Sequence, residues 1–474
     1  MKKILIPLLL FFVLCPAHAR VVSGKVTCGK KGLAKVLVTD GENFALTSCN
    51  GKYSIEVDDD AEFVYLITPA GYVADWSSGV PAFYRKLTGE SFDFDLQKHS
   101  VPKASAKNRY HILAVSDPQP RRESHFQQFL GAPLSDLVQT AAALDAPAVG
   151  VVLGDICFDV YEFQPRWKEE IVRVGIPFYP VVGNHDHNKA YVVEEEAINT
   201  YQENFGPENY AFFLGKDLVV VLDNIIYSGR HNYVLGYTDE RLEWLEKLLT
   251  YVPKNAHVYI AQHSPLNGRY YANMIKNHEK ILDLLKEYQA VFLSGHNHTN
   301  GVFQYNERAI EHNVGSICGT HWDTYHCADG TPSGYKVLSK SAGKLSWYYK
   351  SVGEPKDFQL EIFPFGSTRL HPESLIVNVW DYDDKWKVEW YQDGEYKGKM
   401  EQVDDYSPIH TEELHKKYEG TGKTPSSYRH TKKAHHFFKA DPVASASGNA
   451  SLVTIVVTDR FDNVYKEEIK LCEK

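Results

Sequence analysis

Between Val21 and about Leu96, apolar and polar residues alternate in short runs, VVSGKVTC, KVLVTDG, GKYSIEV and FVYLITPAGY, separated by turn signals such as Asp40-Gly41 and Asn50-Gly51. Alternation with a period of two buries one side of a strand, so residues 20–100 are expected to form a small all-β sandwich. A segment bearing lysine, serine and alanine, QKHSVPKASAKN, closes it as a linker. From Tyr110 the rhythm changes to continuous apolar runs ending in polar residues: YHILAVSD, AVGVVLGD, PFYPVVGNHD, LVVVLDN, HVYIAQHSP and VFLSGHNH. Helical stretches such as DERLEWLEKLLTYV lie between most of them. Strands alternating with helices predict an α/β domain, bounded at 108–345. Beyond Ser346 the chain is again strand-like and aromatic, as in SLIVNVWDYDDKWKVEWYQDG, and a third, β-rich domain is expected over 346–474.

The pattern of the first module resembles the carboxypeptidase regulatory-like, or Cna-B-like, modules that often precede exported bacterial enzymes. The start of the chain agrees with export. Two lysines, an apolar run from Ile4 to Leu14 and the small-residue pattern Ala17-His18-Ala19 read as a secretory signal peptide over residues 1–19, too short for a membrane span. Leu14 is bulky where a lipoprotein site at Cys15 needs a small residue. No later segment has the roughly 20 apolar residues of a transmembrane helix. The expected location is periplasmic or secreted.

Composition narrows the function. The 474 residues are 24% charged and 43% hydrophobic, as in globular proteins, and exceed one ordinary core. A net charge of −10 without a basic run argues against nucleic acid as a partner. In an oxidising compartment the six cysteines that follow the signal peptide allow 15 connectivities; Cys28/Cys49 and Cys318/Cys327 are the local pairs, leaving Cys157 and Cys472 free. Glycosylation sequons begin at Asn297 and Asn449, and a glycan at Asn297 would sit between two histidines of the site below.

The strand endings collect one chemistry. Asp117 and Gln119 stand in SDPQ, Asp155 and Asp159 in GDICFD, Asn184, His185 and Asp186 in GNHD, His263 in QHSP, and His296 and His298 in GHNH. Active sites of open α/β sheets lie beyond the carboxyl ends of the strands, so these endings should converge. Single polar residues after strands are ordinary; five ligand-bearing endings in one α/β segment are not.

In this order the motifs resemble those of the calcineurin-like metallophosphoesterases over residues 110 to about 315. THWDTY and AHHFFKADP are similar to the C-terminal domain of an exported bacterial branch. The resemblance implies a β-sandwich core flanked by helices and phosphoester hydrolysis at two divalent metal ions, Mn, Fe, Zn or Mg. A carboxylate has two oxygens with which to bridge two ions, and Asp155 is the candidate. Asp117, Gln119 and His298 would complete one ion, and Asn184, His263 and His296 the other. His296 and His298, two apart in an extended segment, would face the same side. With two negative ligands the ions keep an excess positive charge that attracts phosphate and activates water as the attacking hydroxide. By the same resemblance His185 is the acid that protonates the leaving oxygen, with Asp159 or Asp186 as its carboxylate partner. Two positions depart from the family pattern. Asp159 follows the bridge by four residues where three is usual, and Gln119 stands where histidine is commoner, tilting that site toward oxygen-preferring metals.

Other residues have blander readings. His187 is expected to be a solvated loop residue; Trp322 and Tyr325 either pack a domain junction or line the phosphate site; His435 and His436 either fold the last domain or reach the centre. The function expected is exported phosphoester hydrolysis of a phosphorylated small molecule, lipid or sugar, as monoester or diester. The alternative is an inactive metal-containing protein whose β modules bind a polymer or surface.

Overall fold

A computed structural model describes residues 20–99, 109–267, 274–442 and 451–471. The signal-peptide segment 1–19, the linker from 100 to 108, Asn449 and Cys472 lie outside them. No helix among the described residues is long and apolar enough to cross a membrane.

The first module is two small sheets. Arg20–Cys28 pairs with Lys31–Gly32 and Lys52–Val57 and takes Phe94–Asp95 in parallel, while Leu37–Thr39, Phe44–Leu46, Phe63–Ile67 and Tyr84–Lys86 form the second sheet. Strand Lys52–Val57 shows the expected alternation, with Tyr53, Ile55 and Val57 buried and Lys52, Ser54 and Glu56 exposed. The module is packed into the next domain. Phe83 meets Tyr210 with ring centroids 4.6 Å apart, Phe213 N–H donates to the Thr68 carbonyl at 2.9 Å, and the module's core runs unbroken into that of the central domain.

The central domain has two sheets. In the first, Phe178–Pro180, Ala148–Val152 and Tyr110–Val115 run parallel, followed by antiparallel Gly334–Ser341 and Lys344–Ser351. In the second, Asp217–Val221, His257–Ala261, Gln289–Ser294 and Ala309–Asn313 run parallel, with Tyr210–Leu214 and Gly301–Gln304 on the edges. Alternation along Tyr110–Val115 explains the layering. Ile112 and Ala114 share a core with Val220, Ile260 and Phe292 of the other sheet, whereas Leu113 and Val115 pack on Phe126, Leu137 and Trp167 from the helices. The expected boundary at 345 falls within Lys344–Ser351: that strand completes the first sheet, so the central domain extends to Ser351.

The last domain again stacks two four-stranded sheets around Leu375, Val377, Phe438, Ile455 and Val457. Lys336 Nζ lies 2.7 Å from Asp381 Oδ1 with both side chains fully buried, and Asn300 Nδ2 donates to the Trp380 carbonyl at 2.8 Å. These contacts clamp the last domain to strand Gly334–Ser341 of the first sheet and to the turn between Gln289–Ser294 and Gly301–Gln304 of the second.

Neither expected disulfide forms, because all five described cysteines are free thiols. Cys318 and Cys327 are instead engaged around Ser316: Cys318 Sγ is 3.0 Å from its hydroxyl and Cys327 Sγ donates to its carbonyl at 3.6 Å. Their burial pushes both thiols up, Cys318 to about 12, which keeps them neutral.

Candidate active site

Five strands end within reach of one another. Parallel pairing of Tyr110–Val115 with Ala148–Val152 and Phe178–Pro180 brings Asp117, Asp155 and Asn184 to one rim. Pairing of His257–Ala261 with Gln289–Ser294 brings His263 and His296 to the facing rim. The turns beyond the strands are unusually bent. Asp117, Gln119, Asp155, Asp159, His296 and His298 all have positive φ, between 39° and 69°. Non-glycine residues rarely accept this conformation, which typically costs on the order of 1–3 kcal/mol and clusters at functional sites.

The two histidines of GHNH therefore do not share a side by lying in an extended segment. Both are left-handed, at φ 69° and 50°, with Asn297 N–H closing a tight turn onto the Gly295 carbonyl at 2.8 Å. Asn297 is 4% exposed, so its sequon is folded away beside the centre.

Around Asp155 four donor atoms converge. His263 Nε2 is 3.1 Å from Asn184 Oδ1, 3.1 Å from His296 Nδ1 and 3.4 Å from Asp155 Oδ1. His263 Nδ1–H donates to the Leu153 carbonyl at 2.7 Å, which fixes the tautomer and aims Nε2 inward. The other carboxylate oxygen, Asp155 Oδ2, accepts from Gln119 Nε2. Asp117 lies beside it, with Oδ1 3.4 Å from Gln119 Nε2 and 3.6 Å from His298 Nε2. His298 Nδ1–H donates to the Gly319 carbonyl at 2.9 Å, so Nε2 carries a lone pair; it is buried, faces a carboxylate, and has no hydrogen-bond partner among the described residues. A lone pair aimed at carboxylate oxygens fits a cation between them.

The electrostatics agree with that fit except at His263, where burial lowers the ring but the Asp155 charge overrides it and raises the ring to about 9, so its Nε2 proton must leave before an ion binds there. Burial and then the His263 charge push His296 well below the usual histidine range, and burial lowers His298 as well, leaving neutral imidazoles. Burial would raise Asp155, but the charges of His263 and His185 outweigh it and hold the carboxyl well below the usual range. The donor set of two carboxylates, three imidazoles and two amides suits borderline and hard divalent ions. As placed, Gln119 turns Oε1 to His321 Nδ1 at 3.0 Å; a half-turn of its amide presents that oxygen to the carboxylates instead.

His185 is held from two sides. Its Nδ1 is 3.0 Å from Asp159 Oδ1, and its ring stacks on Phe158 with centroids 3.9 Å apart. Asp186 is not its partner. That carboxylate is fully buried, accepting from Gly183 N–H at 2.9 Å and Ile156 N–H at 3.0 Å, and so ties the Asp155 and Asn184 turns together.

His187, expected in solvent, is fully buried. It donates from Nδ1 to the Gly183 carbonyl at 3.0 Å and stacks on Tyr227 at 5.0 Å. Glu194 and Asp223 lie near it, but Arg241 already supplies a cation to both. His436 bonds Asn378 Oδ1 at 2.6 Å in the last domain and Asp329 Oδ2 at 3.3 Å in the central one, so it joins the two domains, and His435 pairs with Asp404 within the last domain. Trp322 donates to the Pro118 carbonyl at 2.8 Å, behind the first motif, while Tyr325 is 82% exposed.

Sequence reasoning missed His321, whose ring stacks on His298 at 4.3 Å while its Nδ1 meets Gln119. It stands inside THWDTY, where the aromatic residues drew attention; its positive φ of 55° had no sequence signal.

A family model described as calcineurin-like phosphoesterase matches residues 110–300, and models for the N terminal and C terminal of calcineurin-like phosphoesterase match 20–99 and 311–465. The chain belongs to the calcineurin-like phosphoesterases. The N-terminal match places the first module within this family's own architecture. A protein named "Probable glycerophosphodiester phosphodiesterase" from Arcobacter nitrofigilis is 26% identical over 161 residues, 33% of this chain and 58% of that protein. The alignment thus spans little more than half of that relative. The serine/threonine-protein phosphatase CPPED1 of Bos taurus is 28% identical over 232 residues, 44% of this chain and 69% of that protein. Among solved structures, a dimetal phosphatase from Danio rerio is 15% identical with a TM-score of 0.37, covering 52% of this chain and 97% of its own. The family depends on two metals, and in this chain Asp155, His263 and His296 offer ligand atoms that all lie within 4.8 Å of one another.

Proposed function

We propose that this chain is a phosphoric ester hydrolase whose centre holds two divalent metal ions and acts on phosphorylated small molecules. The observation that carries the reading is the placement of Asp155 between two ligand groups, with Asn184, His263 and His296 near Oδ1 and Gln119 near Oδ2. Asp117 and His298 stand beside Gln119 and complete the second group. Such ions, when bound, polarise the phosphoryl oxygens and make water a nucleophile near neutral pH.

The chain's own residues supply the rest. His185 stands at the edge of the centre with Nδ1 held by Asp159, leaving Nε2 to give a proton to the leaving oxygen. Burial pulls its pKa down, but the Asp155 and Asp159 charges outweigh burial and raise it, so the ring keeps that proton. Relatives named as a phosphodiesterase and as a phosphatase support hydrolysis of phosphate esters, with diester and monoester both within the reading. Export, which rests on residues 1–19, belongs to the same proposal.

The experiment is metal content by elemental analysis beside turnover of 4-nitrophenyl phosphate, in the wild type and in Asp155→Asn. Two ions in the wild type, and loss of most metal and nearly all turnover in the variant, is the expected result. Two tightly held ions in an active variant would exclude the bridge.

A further inference from the structure

The rim of the centre on the His185 side carries a cation that nothing in the proposed chemistry uses. Arg121 follows the first motif by two residues, is half-buried, and lies with its guanidinium carbon 5.9 Å from the centroid of the Phe158 ring. Among the described residues no carboxylate pairs with it. The nearby acid, Asp323, is taken: it binds Arg429, lies 3.5 Å from Lys417 Nζ and accepts from Tyr418 OH at 3.2 Å.

The surface beneath is aromatic and continuous with the centre. Phe158 stacks on His185 and meets His321 at a steep angle at 5.8 Å; Tyr428 also meets His321 at a steep angle, at 5.2 Å. Tyr428 comes from the last domain, is 49% exposed, and is anchored by its neighbour Arg429, whose buried pair with Asp323 crosses the domain junction. Phe158, His321 and Tyr428 thus form a partly open floor leading from the proton donor, with Arg121 at its edge.

We propose that Arg121, with the Phe158 and Tyr428 rings, forms a subsite for an anionic group on the leaving side of the substrate. This deepens the phosphoesterase reading and rests on it. The substrate class is a phosphate ester whose leaving alcohol bears a second oxyanion, carboxylate or phosphate, across a flat or apolar spacer. A guanidinium offers a planar fork of donors that matches such a group, and a half-desolvated one without an anion gains most from binding it. The side is set by Phe158, which touches both the proposed proton donor and Arg121.

The test uses the full-length metal-loaded protein and non-hydrolysable probes, so it does not depend on turnover. Phenylphosphonate and its 3- and 4-carboxy derivatives are titrated by calorimetry into wild type, Arg121→Ala and Arg121→Lys. The wild type is expected to bind a carboxylated probe about tenfold or more tightly than phenylphosphonate; Arg121→Ala abolishes the preference and Arg121→Lys keeps part of it. A wild type that does not distinguish the probes, or a preference that survives Arg121→Ala, overturns the subsite. If phenylphosphonate itself fails to bind the metal-loaded wild type, the phosphoesterase reading falls and takes the subsite with it. Unchanged circular dichroism and metal content in the variants show that any loss is not one of folding.

Discussion

His185 Nδ1 and Asp159 Oδ1 lie 3.0 Å apart, and the residue between them in function, Phe158, covers the histidine ring at 3.9 Å. One carboxylate and one aromatic face, contributed by neighbouring residues of a single loop, set the tautomer and the plane of the ring. Asp186, next in sequence to His185, does neither, because its carboxylate is buried against the backbone of Gly183 and Ile156.

The first prediction follows from that pair. His185→Ala should lose roughly 10²–10⁴-fold on an alkyl phosphate, whose leaving alkoxide needs a proton, and clearly less on 4-nitrophenyl phosphate. Asp159→Asn should shift both rates in the same sense by a smaller factor. Steady-state rates on the two esters, with metal content measured alongside, check this. Equal losses on both esters would assign His185 to positioning the phosphate.

His321 gives a second prediction. Its Nδ1 orients the Gln119 amide and its ring stacks on His298, so His321→Phe keeps an aromatic ring there while removing the nitrogen. Residues that orient metal ligands typically change affinity by 10–100-fold, and one of the two ions should weaken by a factor in that range. Competition with a chromophoric chelator reads it. Two unchanged affinities would leave Gln119 outside the ligand set.

A third concerns stability against pH. Glu311 is fully buried and accepts from Tyr305 OH, from Ser294 Oγ at 2.8 Å and from Leu266 N–H at 3.0 Å; burial raises it to about 7 from an ordinary value of 4.5. A raised folded-state value means that its contribution is full below about 4.5 and is lost as pH rises through about 7. The span corresponds to something on the order of 3 kcal/mol. Glu311→Gln, which keeps the neutral shape, should flatten the fall in stability across that window in urea melts at several pH values. The same slope in wild type and variant would show that another group titrates.

The fourth prediction tests the clamp between domains. Lys336 and Asp381 are both fully buried and lie 2.7 Å apart, so Asp381→Asn strands a buried ammonium. Breaking such pairs costs about 3–5 kcal/mol, whereas replacing both partners with apolar residues is far milder. Thermal unfolding should show a large drop for Asp381→Asn and substantial recovery for Lys336→Met/Asp381→Leu. Equal melting of wild type and the single variant would mean that the pair is not needed for docking.

Much of the site was legible along the chain because its chemistry is local. Each motif is a strand followed at once by its polar ending, and the apolar period that marks the strand also marks where the ending must fall. The family, the α/β core and the candidate ligands Asp117, Gln119, Asp155, Asn184, His263, His296 and His298 could be named from residue type and order alone. The sandwich at 20–100 was readable for the same reason, as in the alternation of Lys52–Val57.

What the sequence left open depends on residues far apart in the chain. Asp159 and Asp186 are equivalent as text; only the packing of the Asp155 loop against the Asn184 turn sends one to His185 and the other to backbone amides. His321 reaches Gln119 across 202 positions because the strand order folds the segment after Ala309–Asn313 back over the first sheet. The cysteines at 318 and 327 are close in sequence, yet the local fold turns both thiols to Ser316. His187 looks solvated because its neighbours are polar, but Tyr227 from another segment covers it. The left-handed turns that aim His296 and His298 follow the same logic: non-glycine residues avoid that conformation on their own, and only the surrounding contacts of the folded domain hold them in it.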